Sequence, residues 1–247
     1  MKSLLLLLWV SRGLAGDSPH QPTVSVRAGG AYLGSHLPPF WNEPRNRAQG
    51  EFNLRWAPSS AAWLDVSVDA WRQDRHENGN VFSGPGDITM GGRAWIWQAP
   101  VFTGVAFAVK QPNADDERQL GTDETDITLL ATSGAWLGQT WIQVHGGAAF
   151  LGDPHRFSSQ DVAPTVITSA VYEREIIVLH SFINGTMETT HNPSQWSMTI
   201  GGEGRCPRLL GAEATVGLSP AAPNWGGRVW AGWGWGCTPE TLAQVPK

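Results

Sequence analysis

The chain has 247 residues, of which 41% are apolar and only 16% charged, with 29 Gly, 14 Trp and a net charge of -5. A soluble domain carries about 25% charged residues, and so weak a charge without basic clusters excludes nucleic acid as a partner. Beyond residue 10 no apolar run approaches the roughly 18 residues of a membrane-spanning helix, and the aromatic and aliphatic content excludes disorder.

The first element is an N-terminal leader. Met1-Lys2-Ser3 is followed by an apolar run from Leu4 to Val10 and then by small residues in Gly13-Leu14-Ala15-Gly16. A charged start, a short apolar core and a small-residue junction read as a secretory signal peptide over residues 1–16. The alternative is a buried N-terminal strand. Cysteine is missing from the junction, so a lipoprotein anchor has no residue to carry it.

From Thr23 onward apolar residues recur with a period of two. Phe52, Leu54 and Trp56 alternate with Glu51, Asn53 and Arg55, and Leu64, Val66 and Val68 alternate with Trp63, Asp65, Ser67 and Asp69. The same pattern continues through Ile88 to Ile96, Val105 to Lys110, Trp141 to Phe150 and Gly211 to Leu218. One face is apolar and the other polar or small, as a half-buried strand requires. Twelve strands are predicted, at 23–34, 50–57, 61–72, 86–98, 101–111, 123–134, 138–150, 161–172, 174–184, 194–204, 208–218 and 225–236.

The links between them run long, short, long, short. Every tight link therefore falls at one end of an antiparallel array, and every long one at the other. Transmembrane barrels are built this way, and strands of about 9–11 residues suit a bilayer. The reading is an all-β, antiparallel up-and-down transmembrane barrel over 17–237, with a periplasmic tail at 238–247. A secreted β-sandwich that binds carbohydrate through its tryptophans is the soluble alternative.

In a barrel the apolar face meets lipid and the polar face lines the lumen. Lumen-lining or substrate-contact candidates are then Arg27, Arg55, Asp65, Asp69, Asp87, Arg93, Lys110, Asp126, His145, Glu213 and Arg228. Trp56, Trp196, Trp233 and Trp235 are placed at the membrane interface, where indoles prefer the headgroup level. Cys206 lies in a short turn and Cys237 ends the last strand. With a strand between them they would stand about 10 Å apart, so a disulfide needs the tail to fold back; two separate thiols are the alternative.

Four segments form a recognisable series: Pro85-Gly86-Asp87-Ile88-Thr89, Lys110-Gln111-Pro112, Leu120-Gly121-Thr122 running to Asp126, and Phe150-Leu151-Gly152-Asp153. In this order they resemble a family of bacterial outer-membrane barrels of unknown function related to the phenol-degradation MetA-pathway proteins. Arg45-Asn46-Arg47, Trp71-Arg72, His76-Glu77 and Phe82 are similar to one branch of that group. Gln111-Pro112-Asn113 departs from its Pro-Thr-Gly-like stretch. The likeness covers roughly residues 40 to 155. It implies an outer-membrane barrel of a Gram-negative bacterium and a channel for small hydrophobic or aromatic solutes.

The residues themselves allow plainer readings. Asp87 and Asp126 open strands, where a carboxylate accepts backbone N–H groups beside a loop. Lys110 is the one lysine between Lys2 and Lys247; it either pairs with Asp87 or Asp126 or attracts a permeant. Asp115, Asp116, Glu117, Asp123 and Glu124 make an acidic loop, solvated or bridged by divalent ions to lipopolysaccharide. Further expected partners are outer-membrane lipid and the barrel assembly machinery.

Catalysis as a lipid hydrolase would need a base beside a nucleophile. Among His20, His36, His76, His145, His155, His180 and His191, His180 adjoins Ser181, but neighbours on a strand face opposite ways. No enzyme activity, cofactor or metal is expected; a structural or adhesive barrel is the alternative to a channel.

Overall fold

The computed structural model describes residues 23–36, 45–98, 100–114, 120, 125–152, 161–174, 177–187, 194–204, 206–220 and 222–237. The leader, the acidic stretch, the tail at 238–247, and His20, His155 and His191 lie outside these residues. The described elements are all strands: β1 (Val24–His36), β2 (Arg45–Ser59), β3 (Ala62–His76), β4 (Val81–Gly84), β5 (Ile88–Trp97) and β6 (Phe102–Gln111). They continue with β7 (Asp126–Leu137), β8 (Thr140–Leu151), β9 (Asp161–Arg174), β10 (Ile177–Thr186), β11 (Gln195–Gly204), β12 (Arg208–Gly217) and β13 (Trp225–Trp235).

Neighbours in sequence pair antiparallel, and β1 pairs with β13 in register from Val24↔Trp235 to Gly34↔Trp225, which closes the sheet into a ring. The ring has twelve staves although thirteen strands are present. The lower part of β3 pairs with β5 and its upper part with β4. β4 and β5 are thus two lengths of one stave, broken at Pro85-Gly86-Asp87. Asp69 bridges the break: its N–H donates to the Asp87 carbonyl at 3.1 Å, and its carbonyl accepts from Gly86 N–H at 2.8 Å. Glycine is required at 86 because any side chain there would collide with Asp69. On the other edge of β3, Gly50 faces Trp71 while Glu51 faces Asp69, so Ala70 is the extra residue of a β-bulge.

The twelve expected strands are recovered as staves. Two links are shorter than the alternation suggested, because β2 begins at Arg45 and β3 runs on to His76 before β4. Arg45-Asn46-Arg47, expected before the second strand, lies inside it. The turns from Ser59 to Ala62, Trp97 to Phe102, Leu137 to Thr140, Arg174 to Ile177 and Gly204 to Arg208 all fall at one end. The longer links share the other.

The apolar face points outward. Phe52, Leu54, Leu64, Val105, Leu129, Val144, Ile200 and Val229 are exposed on the outer surface, while Arg55, Asp65, Arg93, Gln143 and Thr199 on the opposite parity are buried. A sandwich would bury the first set, so this arrangement rules out the soluble alternative. Trp56, Trp97, Trp233 and Trp235 ring the turn end on the outside, and Trp71, Trp225 and the half-buried Trp196 lie nearer the loop end. A membrane barrel carries aromatic girdles at both ends of its outer face.

Cys206 and Cys237 are joined in a disulfide with Cα atoms 6.0 Å apart. β12 pairs directly with β13, and Pro207 C=O accepts from Gly234 N–H at 2.8 Å, so the two ends meet. Gly236, at φ +73°, turns the chain back toward Cys206. The bond closes a separation of 31 residues. Replacing both cysteines with serine should cost about 3–4 kcal/mol by loss of loop-closure entropy in the unfolded chain. The expected readout is a lower temperature for the shift between folded and unfolded migration on a detergent gel, reproduced in the native chain by reductant.

Candidate functional site: a lumen with a charged mouth and an aromatic floor

At the loop end β2 and β3 set Arg45 and Arg47 around Asp74. Arg47 donates from Nε and Nη2 to the two Asp74 oxygens at 2.6 Å each, and Arg45 Nη1 donates to Oδ2 at 3.2 Å. Below them Arg72 pairs with Asp69, stands 3.5 Å from Asp87, and donates to the backbone carbonyl of Leu120. Leu120 is fully buried, and its side chain occupies the space that a Gly84 Cβ would need.

Each strand-opening carboxylate ties down the exit of the next strand. Asp87 Oδ1 accepts from the Asn113 and Ala114 N–H groups at 3.3 and 3.2 Å, while Asn113 Nδ2 donates to the Gly86 carbonyl. Asp126 Oδ1 accepts from Gly152 N–H at 2.9 Å, and Lys110 Nζ lies 2.7 Å from its other oxygen. The described residues of the four motif segments, up to 67 positions apart in sequence (85 to 152), therefore meet at this one rim. Asp87 lies in the break between β4 and β5. Burial alone would raise its pKa, but Arg72, Lys110 and the two amides outweigh that and hold it below the usual carboxylate value.

A second group crosses the other wall. Arg228 of β13 pairs with Glu51 of β2 and stands opposite Glu213 in the β12–β13 register. His180 Nε2 is 3.5 Å from Glu213, and its ring stacks 6.4 Å from that of Trp230. Arg27 Nη2 donates to Glu203 at 2.8 Å, and the Trp230 indole N–H donates to the same carboxylate.

The turn end is floored by arginines and rings. The Arg55 guanidinium lies 4.5 Å from the Trp63 ring; Arg93 lies 5.6 Å from Trp63 and 4.5 Å from Trp95. Arg93 also reaches past two strands to donate to Gln143 Oε1 at 2.9 Å. Trp95, Phe102 and Trp141 meet edge to face at 5.0–5.8 Å, and Trp136 adds a fourth ring. The Trp141 ring lies over Gly134, where any side chain would collide with it. Asp65 stands opposite Arg55 in register and accepts from Asn53 Nδ2 at 3.4 Å. His145 is fully buried on the β8 wall, with Thr132 and Ile167 as its register partners.

No family model and no curated protein matches this sequence. Solved structures do. An outer-membrane channel from Pseudomonas putida F1 superimposes with a TM-score of 0.66 at 15% identity, over 90% of this chain and 98% of that one. The translocator domain of the autotransporter NalP from Neisseria meningitidis gives 0.60 at 13% identity, over 93% of both chains. The chain has the fold of an outer-membrane β-barrel.

The Pseudomonas channel is a barrel of the type that the motif series resembles. At such identities the likeness concerns the fold, and the two neighbours differ in what they do.

The eleven lumen candidates of this barrel separate into three sets. Asp69, Asp87, Lys110 and Asp126 belong to the mouth; Arg27, Glu213 and Arg228 to the cross-wall group; Arg55, Asp65, Arg93 and His145 to the lower half. Arg45, Arg47 and Asp74 fall in expected links and are not among the candidates; Arg72, the last residue of the expected third strand, enters only through the family resemblance. The signal was present, since Arg45, Arg47, Gln49, Glu51, Asn53 and Arg55 continue one unbroken period of two.

Lys110 and Asp126 form a buried pair, so removing one partner strands a charge at a cost of about 3–5 kcal/mol. Lys110→Met should therefore destabilise the barrel in urea unfolding, and Lys110→Met combined with Asp126→Asn, which removes the stranded charge and keeps an acceptor for Gly152 N–H, should restore most of the loss. The Asp87 attachment has its own pH signature. A carboxylate held below its unfolded value stabilises above that value and loses the effect as pH falls through the folded one. Limited proteolysis near Pro112 should therefore be slow at pH 5 and accelerate only below the ordinary aspartate range. Asp87→Asn should show the fast cleavage already at pH 5.

Proposed function

We propose that this barrel is a passive outer-membrane channel for small solutes, held narrow by its own lumen side chains, and not an enzyme. The observation that carries the reading is the ladder of buried ionisable groups running the height of the lumen, from Arg45, Arg47 and Asp74 through Glu51 and Arg228 to Arg55 and Arg93. Ionisable groups at membrane depth are costly and mark solute routes. A barrel serving only as an anchor has no need of them at every level. The fold shared with a channel supports the same reading.

The aromatic floor favours solutes with a flat apolar face. Such a channel would sit in the outer membrane of a Gram-negative cell, with lipopolysaccharide around it and the assembly machinery to insert it. A structural or adhesive role would leave the lumen impermeable.

Planar-bilayer recording of the purified barrel tests this directly. Small discrete conductance steps are expected, and Trp95→Ala or Trp141→Ala should enlarge them severalfold by thinning the floor. Arg228→Gln should change the unit conductance as well. Electrical silence of the native barrel and of the two tryptophan variants, with no solute swelling of loaded liposomes, would overturn the channel.

A further inference from the structure

We propose that small ions cross this barrel along one side of the lumen, the wall built by β10–β13 and β1, past Arg27, Glu203, His180, Glu213 and Arg228. The proposal rests on the channel reading and deepens it by naming the route. Three observations carry it. First, the other side is filled. One buried apolar cluster contains Trp63 of β3, Leu130 of β7, Ile167 of β9 and Phe182 of β10. β3 and β10 stand six staves apart in the ring of twelve, so this cluster reaches across the lumen. A second cluster, around Trp95, Trp141 and Val171, takes in Phe102, Trp136 and Val178. Packed apolar side chains give an ion nothing to replace its water.

Second, solvent reaches the charged side chains of the opposite wall. Arg27 and Glu203 are 14% and 15% exposed, and His180 and Arg228 10% each. At the mouth Arg45, Asp74 and Asp126 are at 0%.

Third, these groups climb the wall in steps. Arg27 and Glu203 pair near the turn end, where β1 begins and β11 ends. The Trp230 indole donates to Glu203 and stacks with His180, which meets Glu213 at 3.5 Å. Glu213 stands opposite Arg228, Arg228 pairs with Glu51, and Glu51 faces Asp69 of the mouth. Gly201 lies between His180 and Glu213 in register, and any side chain there would fill the space in which they meet. Charges of both signs offer a moving ion a new partner at each level, and rings of one sign would set which ion passes.

Arg27 and Glu203 provide the test, because neutralising one leaves the other's charge to act on the ions. The full chain is recorded in a planar bilayer across a potassium chloride gradient. Glu203→Gln should shift the permeability ratio toward chloride and Arg27→Gln toward potassium, each roughly twofold or more. The double variant should return to the native ratio, and the exposed rim variant Arg75→Gln should leave it unchanged. A purely structural pair would lose stability without moving the ratio in opposite senses.

A second measurement reads the route without current. In liposomes, His180→Cys should react with a small charged thiol reagent roughly tenfold faster than Ile167→Cys, since reaction follows access and Ile167 is fully buried. The native cysteines are joined and stay silent. A gel shift on heating confirms that each variant is folded. Conduction with a ratio unmoved, or moved the same way, by both folded charge variants overturns the route and leaves the channel standing. Equal labelling of Ile167→Cys and His180→Cys does the same. Silence of the native barrel and of every variant overturns the channel and the route together.

Discussion

The constraint on which everything else rests is the absence of water in the hydrocarbon core. Every backbone N–H and C=O there must find a partner within the protein, and a sheet meets that demand only by closing on itself. The β1–β13 ladder provides the closure with eleven register pairs, from Val24↔Trp235 to Gly34↔Trp225. A closed ring of alternating strands has one face to lipid and one to the lumen. Parity then settles the environment of every side chain at once, and a shift of one residue would carry Arg55 or Asp65 into the membrane.

That coupling explains why so much of the fold was legible in the sequence. Leu54 and Trp56 against Asn53 and Arg55, or Val144 against His145, report the wall of the barrel directly. Lipid tolerates no lapse in the outer set, where a midplane arginine or lysine costs about 2–4 kcal/mol. The link lengths report the direction of the staves for the same reason, since the tight turns gather at one end. Where the alternation broke, reading failed. Ala70-Trp71 interrupts the period in β3, and Pro85-Gly86-Asp87 interrupts the stave beyond. The end of β3 beyond residue 72 and the short β4 therefore resembled a loop, which hid Asp74, whereas Arg45 and Arg47 continue the unbroken alternation of β2 ahead of its expected start at residue 50.

The lumen was legible as a face but not as a set of contacts. Period two places Arg27 and Arg228 inside; it does not reveal that Arg27 meets Glu203 on β11 or that Arg228 meets Glu51 on β2. Those partners are fixed by the order of staves around the ring and by side-chain length, which bring together residues 176 and 177 positions apart. The disulfide was obscured in the same way. Counting laterally left the cysteines too far apart, whereas the left-handed turn at Gly236 shortens the distance to 6.0 Å.

The mouth shows what a weak motif series can mean physically. Gly86-Asp87, Lys110, Asp126 and Gly152 carry little information one by one, because each is an ordinary residue at the end of a strand. Their spacing follows from the barrel. Asp87 opens β5 and holds the chain leaving β6; Asp126 opens β7 and holds the chain leaving β8. Each clasp spans one hairpin, so the series recurs with the hairpin repeat, and Lys110 links the two by pairing with Asp126 beside Asp87. The departure at Gln111-Pro112-Asn113 falls where backbone amides and an asparagine side chain make the contacts. It therefore alters the residue types while keeping the donors that the clasp needs. The series is best understood as the signature of a rim in which the carboxylate that opens one strand of a hairpin holds the exit of the other.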